Sequence, residues 1–424
     1  MTRASETGIE IIHRLRRQKG WNRQSQAWCQ EAFTTLATLR RFLHGDPIQQ
    51  DTFIRICQAV GVERWEEIAE APLSNGTVQL VGSHGMPDVS IFYGRTDELG
   101  KLTQWVTTDR CRLIALLGMG GIGKSALAVR LAEQLAPQFE FTIWRSLRYT
   151  SSLTNLLFEL TQEVSTQKDL PRPDTIEEQI SSLIEELQRH RVLLVLDGWE
   201  TVLSSGDFAG HYREGYKNYG NLLQRIGQES HKSCLLLTSR EQTPEISLLG
   251  GLTAPVRSLN LTGLGEAAQE IFRTEGLADE EQWSRLIQIY RGNPLVLQVI
   301  ATFIRELFGN SVIEFLRQGG TLITGDLNYF LRQLFERLSS LEMQVMQQLA
   351  YAQKPLLLEQ LREASLNISN QDLLGALQSL WWRSLIEISI EISIEISATG
   401  AFTLQPIIAE YTIHYLEWLR VEEE

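Results

Sequence analysis

The chain has 424 residues, of which 43% are hydrophobic and 21% charged, and its formal net charge is −13. This length predicts two to four domains that each bury a core, and this charge excludes a protein that coats nucleic acid over its whole surface. Four cysteines lie far apart and no apolar run reaches the length of a membrane span. We therefore expect reduced, mostly buried thiols in a cytoplasmic protein that does not enter a membrane.

Residues 1–70 are predicted to form a module of five short helices. Apolar residues recur at helical spacing in this region, and a fifth helix begins at Trp65; the first four helices are predicted over residues 8–19, 25–32, 34–43 and 51–60. The second and third helices meet in a tight junction at Phe33-Thr34. The segments 38–45 (TLRRFLHG) and 52–61 (TFIRICQAVG) resemble the helix-turn-helix domains of phage repressors.

If that resemblance carries function, the third helix would face DNA through Thr35, Thr38, Arg40 and Arg41. Residues 1–44 contain eight Lys or Arg against three Asp or Glu. This excess is enough to attract phosphate but smaller than a strongly basic DNA-binding footprint. Two interpretations therefore stay open for the module: it binds DNA, or it contacts another protein and its arginines are solvated.

Residues 71–88 are rich in Pro, Gly, Ser and Asn, and this composition predicts a linker. Residues 89–260 are then predicted to form a nucleotide-binding domain. A short apolar strand from Ile91 turns at Gly94-Arg95 and enters a helix. Further strands alternate with helical segments, which is typical of a doubly wound parallel sheet covered on both faces; these strands are predicted over residues 141–146, 191–196, 233–237 and 256–259.

A glycine-rich loop follows the apolar strand that begins at Leu113. Residues 118–125 (GMGGIGKS) fit the pattern G-x-x-x-x-G-K-[ST] of a phosphate-binding P-loop. In such a loop the backbone N–H groups surround the phosphates, Lys124 reaches the β- and γ-phosphates, and the Ser125 hydroxyl binds Mg²⁺. The sequence therefore predicts that ATP or ADP binds here with Mg²⁺, through Gly118, Gly120, Gly121, Ile122, Gly123, Lys124, Ser125 and Ala126.

A second phosphate-site motif ends the strand Val192–Asp197. Its buried residues deliver Asp197 at the carboxyl end of the sheet, where a carboxylate can hold Mg²⁺ through water. P-loop ATPases usually place a second acid directly after the first, to orient the attacking water. This chain has Gly198 there, and the next acid is Glu200. Either Glu200 reaches the water from another angle, or hydrolysis is very slow.

The next predicted strand ends in the sequence Thr238-Ser-Arg240. An arginine at this strand end can report the γ-phosphate, because it is always charged and shaped for bidentate contact. It could instead form a surface salt bridge. Between these motifs, the tyrosine-rich loop 206–220 is longer than a minimal connection requires. We hypothesise that this loop contacts a neighbouring subunit or a bound ligand, although its tyrosines could equally pack on their own domain.

Strand signals stop after residue 260, and residues 261–325 are predicted to form a helical subdomain. Its helices are predicted over residues 261–277, 280–290 and 294–308. The last of them is opened by Gly292-Asn-Pro294, with the proline suitably placed near the helix start.

Residues 326–424 are predicted to form a winged-helix domain. A strand-rich stretch and a final helix over 406–419 follow helices predicted over residues 327–338, 342–352, 356–364 and 372–385. The stretch contains a tandem repeat in which Ile-Glu-Ile-Ser occurs three times over residues 386–397. Strict alternation predicts a strand that lengthens a hairpin, and we assign the repeat no function.

Taken in order, the motifs from residue 88 to residue 420 resemble the NB-ARC module of the STAND class of signal-transduction ATPases, which is related to AAA+ proteins. The resemblance implies that Arg240 contacts the γ-phosphate and that Pro294 covers the nucleotide base. It also implies an adenine pocket, lined by Phe92, Tyr93, Gly94 and Arg95.

The resemblance is incomplete in the last domain. Family members have a Met-His-Asp triplet whose histidine touches the ADP β-phosphate, and this chain reads Leu404-Gln405-Pro406 at that place. Gln405 would be a neutral donor, and Pro406 lacks both a carboxylate and an N–H. The ADP-bound state is therefore expected to be held less firmly.

The resemblance implies a molecular switch for signal transduction. ADP holds its domains closed; ATP opens them and favours a homo-oligomer; hydrolysis is slow and assigned to Lys124, Asp197, Glu200 and Arg240. Family members usually continue into a sensor array, and since this sequence ends at Glu424, we expect the sensor to be absent or supplied by another protein. Two other functions stay open: a DNA-binding transcription regulator controlled by nucleotide, and an ATPase that turns over continuously.

Overall fold

The computed structural model describes residues 6–22, 25–32, 34, 36–43, 50–62, 80–81, 85–149, 152–165, 171–319, 323, 325–365, 367–390 and 400–422. The chain divides into two compact units, Met1–Thr77 and Val78–Glu424. None of the helices in these ranges is both long and apolar enough to cross a membrane. All four cysteines are buried and free, as the sequence predicts.

The first unit is a small helical module. Its helices are α1 (Glu6–Gln18), α2 (Gln26–Glu31), α3 (Leu36–Leu43) and α4 (Gln50–Ala59). Phe42 and Phe53 meet edge to face in its core, at 5.1 Å between ring centroids. Trp28 is fully buried there and donates a hydrogen bond to the Ile56 carbonyl at 3.3 Å. Four of the five predicted helices are thus present, while the fifth, from Trp65, lies outside the described residues.

The second unit is built on a parallel six-stranded sheet with the strand order β1-β3-β4-β5-β2-β6. Its strands are β1 (Leu80–Val81), β2 (Leu113–Leu117), β3 (Phe141–Ser146), β4 (Val192–Asp197), β5 (Cys234–Ser239) and β6 (Val256–Asn260). The prediction of a parallel sheet is confirmed. The predicted linker 71–88 differs from the structure, because Leu80–Val81 pairs with β3 as an edge strand. Two residues are too few to show the alternation by which a strand is recognised.

Helices cover both faces of this sheet, which explains why its strands are almost continuously apolar. Alternate side chains of each strand point to opposite faces: Leu194 packs with α7, α8 and α9, while Leu193 and Val195 pack with α5 and α6. The covering helices are α5 (Thr96–Thr107), α6 (Lys124–Leu135), α7 (Leu153–Val164), α8 (Ile176–Arg189), α9 (Asn218–Gln228) and α10 (Pro244–Leu249).

A helical region follows the sheet. It contains α11 (Gln269–Glu275), α12 (Trp283–Ile289), α13 (Pro294–Leu307), α14 (Val312–Arg317) and α15 (Gly325–Phe335). The first predicted helix begins eight residues later than expected, after a 3-10 turn over Gly265–Ala268. Gly263 explains part of this later start. A Cβ atom there would lie 1.9 Å from the Arg291 carbonyl oxygen, so the two backbone segments lie too close together for a residue with a side chain.

The C-terminal region combines helices with a small antiparallel sheet of order β7-β9-β8. Its elements are α16 (Ser340–Ala352), β7 (Leu356–Leu357), α17 (Leu358–Ala364), α18 (Asn370–Trp382), β8 (Ile386–Ile390), β9 (Gly400–Leu404) and α19 (Pro406–Glu422). A capping box between Ser339 and Glu342 opens α16. The tandem repeat begins in β8, and its remainder over 391–397 lies outside the described residues. The winged-helix assignment stays a prediction.

Candidate functional site

The glycine-rich loop joins β2 to α6 at the carboxyl edge of the parallel sheet. Its backbone has positive φ angles at Gly118 (142°), Gly121 (73°) and Gly123 (98°), which glycine adopts without a steric penalty. Because of these turns, α6 begins at Lys124, and Ser125 also lies in the first turn. The loop therefore presents the start of a helix, where N–H groups favour an anion.

Lys124 is the buried cation of this loop. Its ammonium donates to the carbonyl oxygens of Gly118 at 2.7 Å and Met119 at 2.9 Å, and the residue is only 8% exposed. Burial lowers the pKa of Lys124 to about 8; Glu200 and Asp197 nearby act against this shift. A bound phosphate would place a negative charge beside this ammonium and favour its protonated form.

Nucleotide binding should therefore depend on pH through Lys124. Phosphate binding needs the charged amine, whose pKa is lowered to about 8. Since bound phosphate raises that pKa, binding takes up a proton above about pH 8, and affinity falls as the pH rises. We expect the dissociation constant of ADP to increase about twentyfold between about pH 7.5 and pH 9.5 in a calorimetric titration. A flat profile, with the fold retained by circular dichroism, would contradict this assignment.

Asp197 ends β4 beside this loop and collects hydroxyl groups. Its Oδ1 accepts hydrogen bonds from Ser125 Oγ at 2.5 Å and Thr238 Oγ1 at 2.7 Å. Thr238 in turn accepts from the N–H of Gly198 at 3.0 Å. A carboxylate and two hydroxyls form an oxygen-only set of the kind that Mg²⁺ prefers. The residues fit this ion, and Thr238 is a member that sequence reasoning missed.

Glu200 and Arg240 hold each other next to Asp197. The Glu200 carboxylate accepts the N–H of Arg240 at 3.2 Å, and its other oxygen lies 3.2 Å from Arg240 Nε. Gly198 allows this approach, because its φ of 82° turns the chain into the 3-10 helix Trp199–Val202 that carries Glu200. The carboxylate is thus engaged by an arginine, and it does not stand free as a base.

Two further side chains reach the loop region from distant parts of the chain. Arg148 lies against Gly198, so that a Cβ atom added to that glycine would be 3.5 Å from Arg148 Nε. Phe330 of α15 covers Gly120, with a ring carbon 3.0 Å from the corresponding Cβ position. Sequence reasoning missed both residues, because no motif contains them.

An apolar cavity of about 210 Å³ opens beside the loop. Seven of the residues predicted to bind nucleotide line this cavity, namely Phe92, Tyr93, Arg95, Ile122, Gly123, Ala126 and Pro294. The rest of the lining is formed by Ile91, Leu264, Ile271, Thr274, Glu275 and Gln298. Gly94 is not among them, and a Cβ atom there would meet Ala267 at 2.8 Å. A mainly apolar slot with a few polar groups suits a flat heterocyclic base.

Arg95 lines this cavity but is held by the protein. It is buried, and its guanidinium donates to Glu98 at 2.6 Å, to the Ile122 carbonyl at 3.0 Å and to the Thr262 carbonyl at 2.6 Å. Arg95 therefore ties the start of α5 to the glycine-rich loop and to the segment after β6. Its contacts make it a residue that shapes the cavity.

Residues at the start of α13 donate hydrogen bonds to the backbone of the glycine-rich loop. Asn293 Nδ2 donates to the Gly120 carbonyl at 2.9 Å, and the Leu295 N–H donates to the Gly121 carbonyl at 3.4 Å. A Cβ atom on Gly121 would lie 2.7 Å from Leu295 Cβ. Pro294 stands between these two contacts and lines the apolar cavity. The helical region thus closes one side of the site.

Gln405 lies elsewhere. It lines a second cavity of about 460 Å³ together with Met119 of the loop, Asn293 and Trp381, and it does not line the apolar cavity beside the loop. Gln405 therefore faces a cavity that the loop also borders, from the side of β9 and α19.

A buried ionic network joins the end of β5 to the C-terminal region. Glu241 follows Arg240 directly, and its carboxylate accepts from Arg383 at 2.6 Å and from Arg337 at 2.5 Å. Arg383 also donates to Glu342 at 2.9 Å. Arg337 also donates to the Glu200 carbonyl at 3.1 Å. Consecutive residues after β5 therefore face the phosphate-binding side and the C-terminal helices.

Residues 95–207 match the NB-ARC domain family. The chain is 38% identical to a WD repeat-containing protein of Nostoc sp. (strain PCC 7120) over 460 residues, which cover 98% of this chain and 36% of that protein. It is 30% identical over 110 residues to the disease resistance protein RGA5 of Oryza sativa subsp. japonica, covering 24% of this chain and 10% of that protein. The chain thus spans well under half the length of these curated relatives.

Solved structures include similar chains at low identity. A STAND protein with a tetratricopeptide repeat sensor from Pyrococcus horikoshii has 18% identity and a TM-score of 0.39, covering 77% of this chain and 43% of its own. The Orc1 protein of Aeropyrum pernix, solved in complex with DNA, has 15% identity and a TM-score of 0.37, covering 77% of this chain and 93% of its own.

The NB-ARC match contains the glycine-rich loop, Asp197 and Glu200, which the fold brings together. Arg240, Pro294 and Gln405 lie beyond the matched range, although they contact or line the same region. The NB-ARC match supports nucleotide binding at this loop. The nucleotide contacts of individual residues stay predictions.

The aromatic loop 206–220 packs within its own chain. Tyr212 donates to Glu245 at 2.9 Å, and Tyr219 lies edge to face with Trp199 at 5.4 Å between centroids. Its first part faces the C-terminal region, because the Gly206 N–H donates to the Arg337 carbonyl at 3.0 Å. This packing agrees with the interpretation in which the tyrosines rest on their own domain, and the contact with a neighbouring subunit stays a hypothesis.

Three of the four predicted DNA-facing residues lie on α3 of the first unit. Arg40 and Arg41 are exposed and Thr38 is half-buried, whereas Thr35 lies outside the described residues. Leu39 and Phe42, on the opposite side of the same helix, are fully buried in the module core. The helix therefore presents its arginines to the surface, and DNA binding stays a prediction.

Proposed function

We propose that this chain is a nucleotide-dependent switch of the STAND class, which binds ATP and ADP with Mg²⁺. The observation that carries the proposal is the placement of two neighbouring residues. Arg240 lies at the phosphate side, held by Glu200, while Glu241 is buried in an ionic network with the C-terminal helices. Because Arg240 and Glu241 are adjacent, a movement of this segment would affect both the phosphate side and the contacts with the C-terminal helices.

In the proposed closed state, ADP occupies the loop while Phe330, Asn293 and the network around Glu241 keep the surrounding domains docked. ATP adds a phosphate and a negative charge on the side of Arg240. If Arg240 turns to that phosphate, its pair with Glu200 breaks, and the Glu200 backbone that Arg337 holds shifts with it. The C-terminal winged-helix domain is then released, and the open form assembles into a homo-oligomer.

The chemistry that belongs to this chain's residues is mainly binding. Ser125 and Asp197 would hold Mg²⁺, which neutralises phosphate charge when bound. Lys124 supplies a charge at the phosphates, and the apolar cavity receives the base. The partner that senses a signal is proposed to be a separate protein or a further domain. The name of the relative in Nostoc sp. records WD repeats, which are one candidate for such a domain.

The direct test is to identify the nucleotide that co-purifies with the protein and to replace it with ATP and Mg²⁺. Light scattering then measures the mass in solution. We expect ADP to co-purify and the mass to increase at least twofold after exchange. Failure to bind either nucleotide would remove the proposal, and binding without any change of mass would remove the oligomeric state from it.

Hydrolysis is expected to be slow, because Gly198 carries no acid and Glu200 is paired with Arg240. We predict a steady-state rate below roughly one turnover per minute, against the roughly 10 s⁻¹ of a typical enzyme. A phosphate-release assay with Mg²⁺ and ATP in excess checks this. Many turnovers per minute would instead support a continuously working ATPase.

A second function is favoured by the two exposed arginines of α3. In this alternative, the nucleotide state controls DNA binding by the first unit. Binding to duplex DNA at low salt that weakens with added salt, and that is lost when Arg40 and Arg41 are changed to Ala, would support it. The absence of binding at low salt would remove it.

A further inference from the structure

Arg148 occupies a special place at the carboxyl edge of the sheet. Strands β3 and β4 pair in register so that Ser146 lies opposite Asp197. The 3-10 turn Leu147–Tyr149 follows directly, which places Arg148 beyond the residue that pairs with Asp197. Its Cγ and Nε lie 3.5 Å from where a Cβ atom of Gly198 would be. An arginine therefore covers the position where P-loop ATPases usually have a second acid.

The backbone conformation at position 198 favours glycine over other residues. Its φ of 82° is favourable for glycine, and the turn that it makes leads into the helix carrying Glu200. Glycine at 198 carries no side chain that could neutralise Arg148. The cation takes the place beside Asp197 from which an acid would orient water towards the γ-phosphate.

The other arginines near Arg148 are already held in ion pairs. Arg240 is paired with Glu200, and the neighbouring Arg145 is paired with Glu163. Arg148 is exposed, and among the described residues it makes no hydrogen bond or ion pair. It also lies near enough to Lys124 to act on that residue, since its charge helps to lower the pKa of Lys124. Two cations in the same region, one of which pairs with none of the described residues, favour an anion between them.

We propose that Arg148 binds the γ-phosphate of ATP and so makes the site select ATP over ADP. This inference rests on the proposed nucleotide-binding function. A guanidinium offers two parallel N–H donors that match two phosphate oxygens, and such charge-assisted bonds are stronger than neutral ones. Because a cation stands where a water-orienting carboxylate would be, the same residue favours holding ATP over hydrolysing it.

The test compares the affinities of Mg²⁺-ATP and ADP in the Arg148→Gln variant of the full chain. We expect the dissociation constant of Mg²⁺-ATP to increase about tenfold or more, and that of ADP to change by less than about twofold. Arg148→Lys should give an intermediate loss for ATP, because lysine keeps the charge but not the bidentate geometry. Arg189→Gln, which changes an exposed arginine of α8, is the matched control and should leave both affinities unchanged.

The outcomes separate this inference from the function on which it rests. If the wild-type protein binds neither nucleotide, the proposed function fails. If the wild type binds both and Arg148→Gln binds ATP equally well, the role of Arg148 alone is overturned. Equal losses for ATP and ADP would also overturn it, because they would indicate general attraction of phosphate. Since Arg148 is exposed, the unfolding midpoint of the Arg148→Gln variant should match that of the wild type. This measurement excludes misfolding as the cause of a lost affinity.

Discussion

Nucleotide retention is expected to be lost when Lys124 is changed to Ala. The ammonium is the buried cation of the loop, and its two hydrogen bonds to the carbonyls of Gly118 and Met119 hold it where phosphate oxygens would arrive. Without it, the loop offers N–H groups and a helix start but no full charge. We expect affinity for ADP and ATP to fall at least about a hundredfold, since charged hydrogen bonds to two phosphates are lost together.

The measurement is the amount of nucleotide that co-purifies, followed by a calorimetric titration of the emptied protein. Lys354→Ala is the matched control, because Lys354 is an exposed lysine between α16 and β7 and should leave retention unchanged. Circular dichroism checks that the Lys124→Ala variant remains folded. A folded variant that still co-purifies with ADP would refute the assignment of this loop.

The second large effect is expected from Glu241→Gln in the ionic network. Glu241 is 1% exposed and its carboxylate accepts from both Arg383 and Arg337. The amide of glutamine removes the negative charge, so that the buried guanidinium of Arg383 keeps Glu342 alone as its counter-ion. Breaking one partner out of a buried ion pair typically costs about 3–5 kcal/mol. We expect this loss to loosen the C-terminal helices from the sheet and to speed the release of ADP.

Limited proteolysis and hydrogen exchange measure this loosening, and they should show that α16 and α18 lose protection before the parallel sheet does. Arg332→Ala removes an exposed pair with Glu336, at 52% and 55% exposure of the side chains, and should change stability by less than about 1 kcal/mol. A double-mutant cycle of Glu241→Gln and Arg383→Met isolates the pair from its surroundings. Unaltered protection and unaltered ADP release in Glu241→Gln would show that the network does not couple the two regions.

Sequence patterns predicted the parts of the site that are local in the chain. The glycine-rich loop, the strand ending in Asp197 and the arginine after β5 each lie within a few consecutive residues, and their chemistry follows from residue type and order. The family resemblance predicted a pocket lined by residues 92–95, and Phe92, Tyr93 and Arg95 line the apolar cavity, whereas Gly94 does not. The guanidinium of Arg95 is also held by protein groups, and its contact with a nucleotide stays a prediction.

The remaining parts depend on contacts between distant segments. Glu241 and Arg383 are 142 residues apart, and a charged residue at a helix end is more often solvated than buried. Arg148, Thr238 and Phe330 likewise acquire their meaning only when strand register and helix docking bring them to the loop. Short elements escaped for a different reason: the six-residue helix α14 and the two-residue strand β1 contain too few residues to show a period.

The hydrogen bond from Asn293 to the Gly120 carbonyl has a thermodynamic consequence. The loop that binds phosphate with its N–H groups is bound through its C=O groups by the start of α13. Docking of the helical region and nucleotide binding therefore share one piece of backbone, and their free energies are linked. By reciprocity, whatever factor the docked helix adds to nucleotide affinity, the nucleotide adds to the docking equilibrium. Asn293→Ala would change both factors by the same ratio, so that two unrelated measurements must report one coupling free energy.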